Sequence, residues 1–120
     1  MKVSQFNDVV TKLLGEKLKK FSDKKLDLVV CVDIYQTIFD SLVEVFETSN
    51  TGLTNEAMNY LAQQYYDGVL INGREELDPN IFTQRATMAN IETKELALLA
   101  VMLNGTDFAI PVIQEIKRRG

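Results

Sequence analysis

The stretch VVCVDIYQTIFDSLVEVFET, residues 29–48, decides how this chain is read. At 100° per residue, Cys31, Val32, Ile34, Tyr35, Ile38, Phe39, Leu42, Val43, Val45 and Phe46 fill one continuous half of a helix. Asp33, Gln36, Thr37, Asp40, Ser41, Glu44 and Glu47 fill the other half. A strand would alternate with period two, and this pattern does not. The preceding LDLVV, residues 26–30, falls out of phase: Asp27 lands among the apolar residues, and Leu26, Val29 and Val30 among the acids. Two readings fit. Either the chain is briefly extended there, since valine favours strands, or the helix starts early with an end that is apolar all round and needs a cover.

The same period extends outward. Phe6, Val10, Leu14, Leu18 and Phe21 form one stripe behind Ser4, a suitable N-cap. The opposite face reads Asp8, Lys12, Glu16, Lys20, with each acid four residues ahead of a base, an arrangement that favours exposed intrahelical pairs. Gly15 in mid-helix costs about 1 kcal/mol relative to alanine and is expected to mark a close helix crossing. After the turn SNTG, Thr54 caps NEAMNYLAQQYYDG, with Met58, Leu61, Ala62 and Tyr65 inward and Gly68 as its stop. VLINGREEL is the least helical part, and Asn72-Gly73 allows at most a small hairpin near 69–76. Asp78-Pro79 reads as a helix start, running to about Ala89 with Ile81, Phe82, Ala86 and Met88 inward. Thr93 is expected to cap KELALLAVMLN, Gly105 to end it, and FAIPVIQEIKRR to form the last helix. The expectation is a single all-α domain over 1–120, a bundle of about five to six helices.

Composition narrows function. The chain has no histidine and one cysteine, Cys31. Histidine-based triads and structural zinc sites are therefore impossible within one chain, and no catalytic residue, metal or cofactor is assigned. The longest apolar run, LALLAVML, is short of the ~20 residues a bilayer requires. The polar start MKVSQFND is unlike a signal peptide, and one cysteine forms no internal disulfide. A cytoplasmic, non-membrane protein is expected, of a kind that would suit a phage or mobile element.

Charge is unevenly placed. The net charge is −4, but residues 1–25 carry +4, residues 26–116 carry −11 and residues 117–119 carry +3. No base lies between Leu26 and Gly73. The acids Asp33, Asp40, Glu44 and Glu47 thus share one helix face with no local compensation, a field that attracts a basic partner. With them go the off-phase Leu26, Val29 and Val30, and Tyr60 and Tyr66, which lie off the inward stripe of their helix and belong to a residue type enriched at interfaces. These features point to a non-catalytic interaction or assembly protein that docks a basic protein surface or a second copy of itself. The alternative is a nucleic-acid-binding accessory factor using Lys17, Lys19, Lys24, Lys25, Lys117, Arg118 and Arg119. A helix-turn-helix around Asn104-Gly105 fits that alternative in outline only. Its second helix begins FAIPVIQ, where Gln114 alone addresses a base edge.

Overall fold

The computed structural model describes residues 5–49, 53–69 and 77–120. Five helices account for most of them: α1 (Phe6–Lys17), α2 (Leu28–Ser49), α3 (Asn55–Gly68), α4 (Thr93–Met102) and α5 (Ala109–Arg119). Short 3-10 turns follow α1 (Leu18–Phe21) and precede the segment leading to α4 (Pro79–Ile81). Among the described residues there is no strand, and no helix is long and apolar enough to cross a membrane. The architecture is the expected all-α bundle. Most of the hairpin expected near 69–76 lies outside the described residues, as does the Ser4 cap.

α2 is the central element, packing against α1 on one side and α3 on the other. Cys31, Ile34, Ile38, Leu42, Val45 and Phe46 are buried, as their phase requires. The stripe Phe6, Val10, Leu14, Leu18 and Phe21 is buried against it, and the Phe6 and Phe46 rings stack at 5.0 Å. Two margins of the α2 face differ from expectation. Ser41 is fully buried, because α1 covers the flank that also carries Glu44. Its hydroxyl is satisfied by donating to the Thr37 carbonyl at 2.7 Å. Val32, on the opposite margin, is left 47% exposed.

The out-of-phase LDLVV is resolved in favour of an early helix start. The Asp27 carboxylate accepts the Val30 amide at 2.9 Å, and its carbonyl accepts the Cys31 amide at 2.9 Å. Asp27 is thus the N-cap, satisfying one of the orphan donors of the first turn.

The helix expected over 78–89 is replaced by the single 3-10 turn and irregular chain. Its inward residues are nonetheless inward: Ile81, Phe82, Ala86 and Met88 all pack on the core. Tertiary partners take the backbone groups that a helix would have used. The Ala86 amide donates to the Gln63 side chain at 2.8 Å, and the Met88 carbonyl accepts from Arg119 at 2.7 Å. Phe82 meets Tyr35 and Tyr66 edge-on at 4.9 and 5.3 Å, tying this segment to α2 and α3.

Thr54 caps α3 through the Ala57 amide, and its own amide and hydroxyl donate to Glu95 of α4. Thr93 does not cap α4. It is the first helical residue, and its hydroxyl accepts from Arg119. Gly105, at φ 84, reverses the chain between α4 and α5. At Gly68 a Cβ would stand 2.8 Å from the Phe108 ring, so the end of α3 approaches the start of α5 closely. The close crossing expected at Gly15 is absent: no atom lies within 4 Å of where its Cβ would be.

Candidate interaction surface

The open side of α2 is built by its N-cap. Once Asp27 starts the helix, Val29 takes the phase of the acids, and Leu28 and Val32 lie at the margin of the face that buries Cys31, Ile34 and Ile38. Leu28, Val29 and Val32 stand 57, 70 and 47% exposed, three branched apolar side chains within five residues. Each forgoes part of the roughly 1.5–3 kcal/mol that full burial of such a side chain is worth. Of the apolar residues expected at this surface, only Val29 projects. Leu26 and Val30 are half-buried and pack on the core. Leu28 and Val32 complete the patch. Reading Asp27 as a cap is the sequence signal that would have found them.

The acids continue the phase of Val29 toward the C-terminus. Asp33, Asp40 and Glu47 are exposed, and among the described residues none of the three has an ion-pair partner. Asp40 accepts a hydrogen bond from Gln36 at 2.9 Å. Glu44 departs from the expectation of an uncompensated row. Lys17 of α1 reaches it at 2.8 Å, and both side chains are roughly half exposed. α2 therefore presents three acids in line with Val29, with Leu28 and Val32 at the margin of its buried face and the fourth acid answered from within the fold.

Tyr60 and Tyr66 are corrected outright, being 5% and 0% exposed. Tyr66 lies between α2 and the 79–88 segment, and its hydroxyl donates to the Asp78 carbonyl at 2.6 Å. Burial pushes the Tyr66 hydroxyl pKa far up, with the Cys31 side chain adding to the effect. Burial also raises Tyr60. The helical stripe of α3 is wider than sequence suggested, because the 79–88 segment covers a flank that a free helix would expose.

The basic ends are partly spent inside the fold. Arg119 donates to the Ile91 and Met88 carbonyls at 2.6 and 2.7 Å and pairs with Glu115 at 2.9 Å. Arg118 pairs with the same carboxylate at 2.5 Å. These two guanidinium contacts, Arg118 first, hold the Glu115 carboxyl down at about 2. Lys17 is engaged with Glu44, and Lys24 stands over the Phe21 ring at 5.5 Å. The ends do not converge along α5. Lys19 shares a cleft with Thr106 and Phe108 at the start of that helix, while Arg118 and Arg119 sit at its far end, about 16 Å away at 1.5 Å per residue. Lys25 and Lys117 remain exposed. On α5, the exposed side chains include Ile110 and Ile113 at 53 and 40%, an apolar face unlike one that reads bases.

No group of three or more acids or cysteine that could hold a metal ion occurs among the described residues. Cys31 is buried. Compared with protein-family models, with curated proteins and with solved structures, the chain finds no match.

Proposed function

We propose that this chain is a non-catalytic helical interaction protein that docks a partner protein on the open side of α2. The observation that carries the reading is the juxtaposition of Leu28, Val29 and Val32, exposed at the capped start of the helix, with Asp33, Asp40 and Glu47 further along it. The apolar cluster supplies affinity by leaving water, and the acids supply approach rate and orientation. The complementary surface is an apolar patch rimmed by lysine or arginine. A second copy, through its lysine-rich α1 region, is one source of such a surface. Nucleic acid is less well supported, because Arg118, Arg119 and Lys17 are already paired within the fold.

The test is affinity capture from the native host with three baits: the wild type, Val29→Ser with Val32→Ser, and Asp33→Asn with Asp40→Asn and Glu47→Gln. The reading expects a protein retained by the wild type, lost with the serine bait at any salt, and lost with the amide bait at physiological salt. Retention of the same proteins by all three baits counts against it. Light scattering on the purified wild type separates self-association from a foreign partner. Salt-dependent retention of a short duplex, weakened by Lys19, Lys24 and Lys25 to Gln, would favour the nucleic-acid reading instead.

A further inference from the structure

Gly15 has no backbone or packing role in the bundle. It lies inside α1, where glycine costs about 1 kcal/mol relative to alanine, and it neither needs a positive φ nor yields room to a neighbour. What it does is floor a cleft of about 400 Å³ between α1, the end of α3 and the turn into α5. That volume lies within the range of small-molecule pockets. Leu14, Leu18, Val69 and Phe108 form the apolar walls.

The polar groups on the rim are unevenly committed. The Tyr65 hydroxyl donates to Asn7 Oδ1 at 2.6 Å, the Thr106 hydroxyl to the Leu103 carbonyl at 2.7 Å, and the Ser22 hydroxyl to the Lys19 carbonyl. Those protons are spent within the fold. The donors left on the rim are the Lys19 ammonium, the Asn7 amide and the Thr11 hydroxyl, for which no ion pair or hydrogen-bond acceptor is present among the described residues. Asn7 is followed by Asp8, whose charge also bears on Tyr65. Lys19 is twelve residues further along, at the other end. The cleft thus has a carboxylate neighbour at the Asn7 end, a cation at the Lys19 end and apolar walls between.

We infer that this cleft binds a small amphipathic carboxylate, its head at Lys19 and its apolar body along Leu14, Gly15, Leu18 and Phe108. The site is separate from the open side of α2 and does not depend on the docking reading.

The probes are octanoate and 1-octanol, titrated into the nitrogen-15-labelled chain and followed by amide chemical shifts. Octanoate is expected to shift amides at 14–19, 69 and 108, and to bind about tenfold more tightly than 1-octanol, the increment of one charge-assisted contact. Lys19→Gln removes that preference while leaving octanol binding in place. Gly15→Leu fills the floor with a good helix former, so the chain stays folded and both probes lose binding. Equal binding of the two probes by the wild type, octanoate shifts mapping elsewhere, or undiminished binding by a folded Gly15→Leu chain would each overturn the inference.

Discussion

Lys17 of α1 and Glu44 of α2 meet at 2.8 Å on the surface of the bundle, so one of the four acids on α2 is a structural contact between helices. The pair divides that acidic row by role. Glu44→Gln is expected to lower stability by less than about 1 kcal/mol, the range for exposed pairs, and to leave partner retention unchanged. Val29→Ser with Val32→Ser is likewise expected to change stability by at most about 0.5 kcal/mol per site, since both side chains are largely exposed, while abolishing retention. Urea denaturation beside the capture assay reads both effects.

Two glycines separate open space from backbone need. At Gly15 a methyl group meets nothing, so Gly15→Ala gains helix propensity and is expected to stabilise the chain by about 0.5–1 kcal/mol. Gly105 holds φ 84 between α4 and α5, so Gly105→Ala is expected to cost about 1–2 kcal/mol although it too has free space. Opposite shifts of the two melting temperatures check this. Equal shifts would contradict the assigned backbone conformations.

Arg119 is predicted to matter more for stability than any exposed lysine. It ties α5 to the Ile91 and Met88 carbonyls and pairs with Glu115 within the helix. Arg119→Ala is expected to destabilise by about 2 kcal/mol or more, because charge-assisted bonds are lost and half-buried carbonyls are left unmet. Arg119→Lys should recover little of it, since an ammonium lacks the fork that reaches two carbonyls at once. Chemical denaturation of both variants measures the difference.

The Glu115 carboxyl gives a pH signature. Hydrogen bonds from Arg118 and then Arg119 lower its folded pKa from the ordinary 4.5 to about 2. A depressed acid adds stability that is complete above its unfolded pKa and is lost as pH falls through the folded value. The melting-temperature gap between wild type and Glu115→Gln should therefore be constant above about pH 5 and shrink from pH 4.5 toward pH 2. A gap that widens with acid would contradict the assignment.

What was legible in the sequence was what local periodicity controls. The α1 stripe, the buried half of α2, the Thr54 cap and the Gly105 turn follow from residues within one or two turns of each other. The start of α2 was half legible: the phase break was visible, but Asp27 counted as a misplaced polar residue rather than as the cap that sets the true helix start. The 79–88 segment departs from its local pattern for a different reason. Asp78-Pro79 and the inward apolar residues satisfy every local helix rule, and only Gln63 and Arg119, distant in sequence, claim its backbone groups. The same segment buries Tyr66, so a tyrosine that looks like a contact residue on an isolated helix becomes core. The Lys17–Glu44 pair spans 27 residues and has no local signature.

Docking on α2 is tested most directly by placing a photo-crosslinking amino acid at position 29, and separately at the exposed Lys94 of α4, and irradiating cells of the native host. A discrete covalent adduct is expected from position 29, diminished when Asp33, Asp40 and Glu47 carry amides, and none from position 94. An adduct from position 94 alone, or none from position 29 in folded, expressed protein, would contradict docking at this surface.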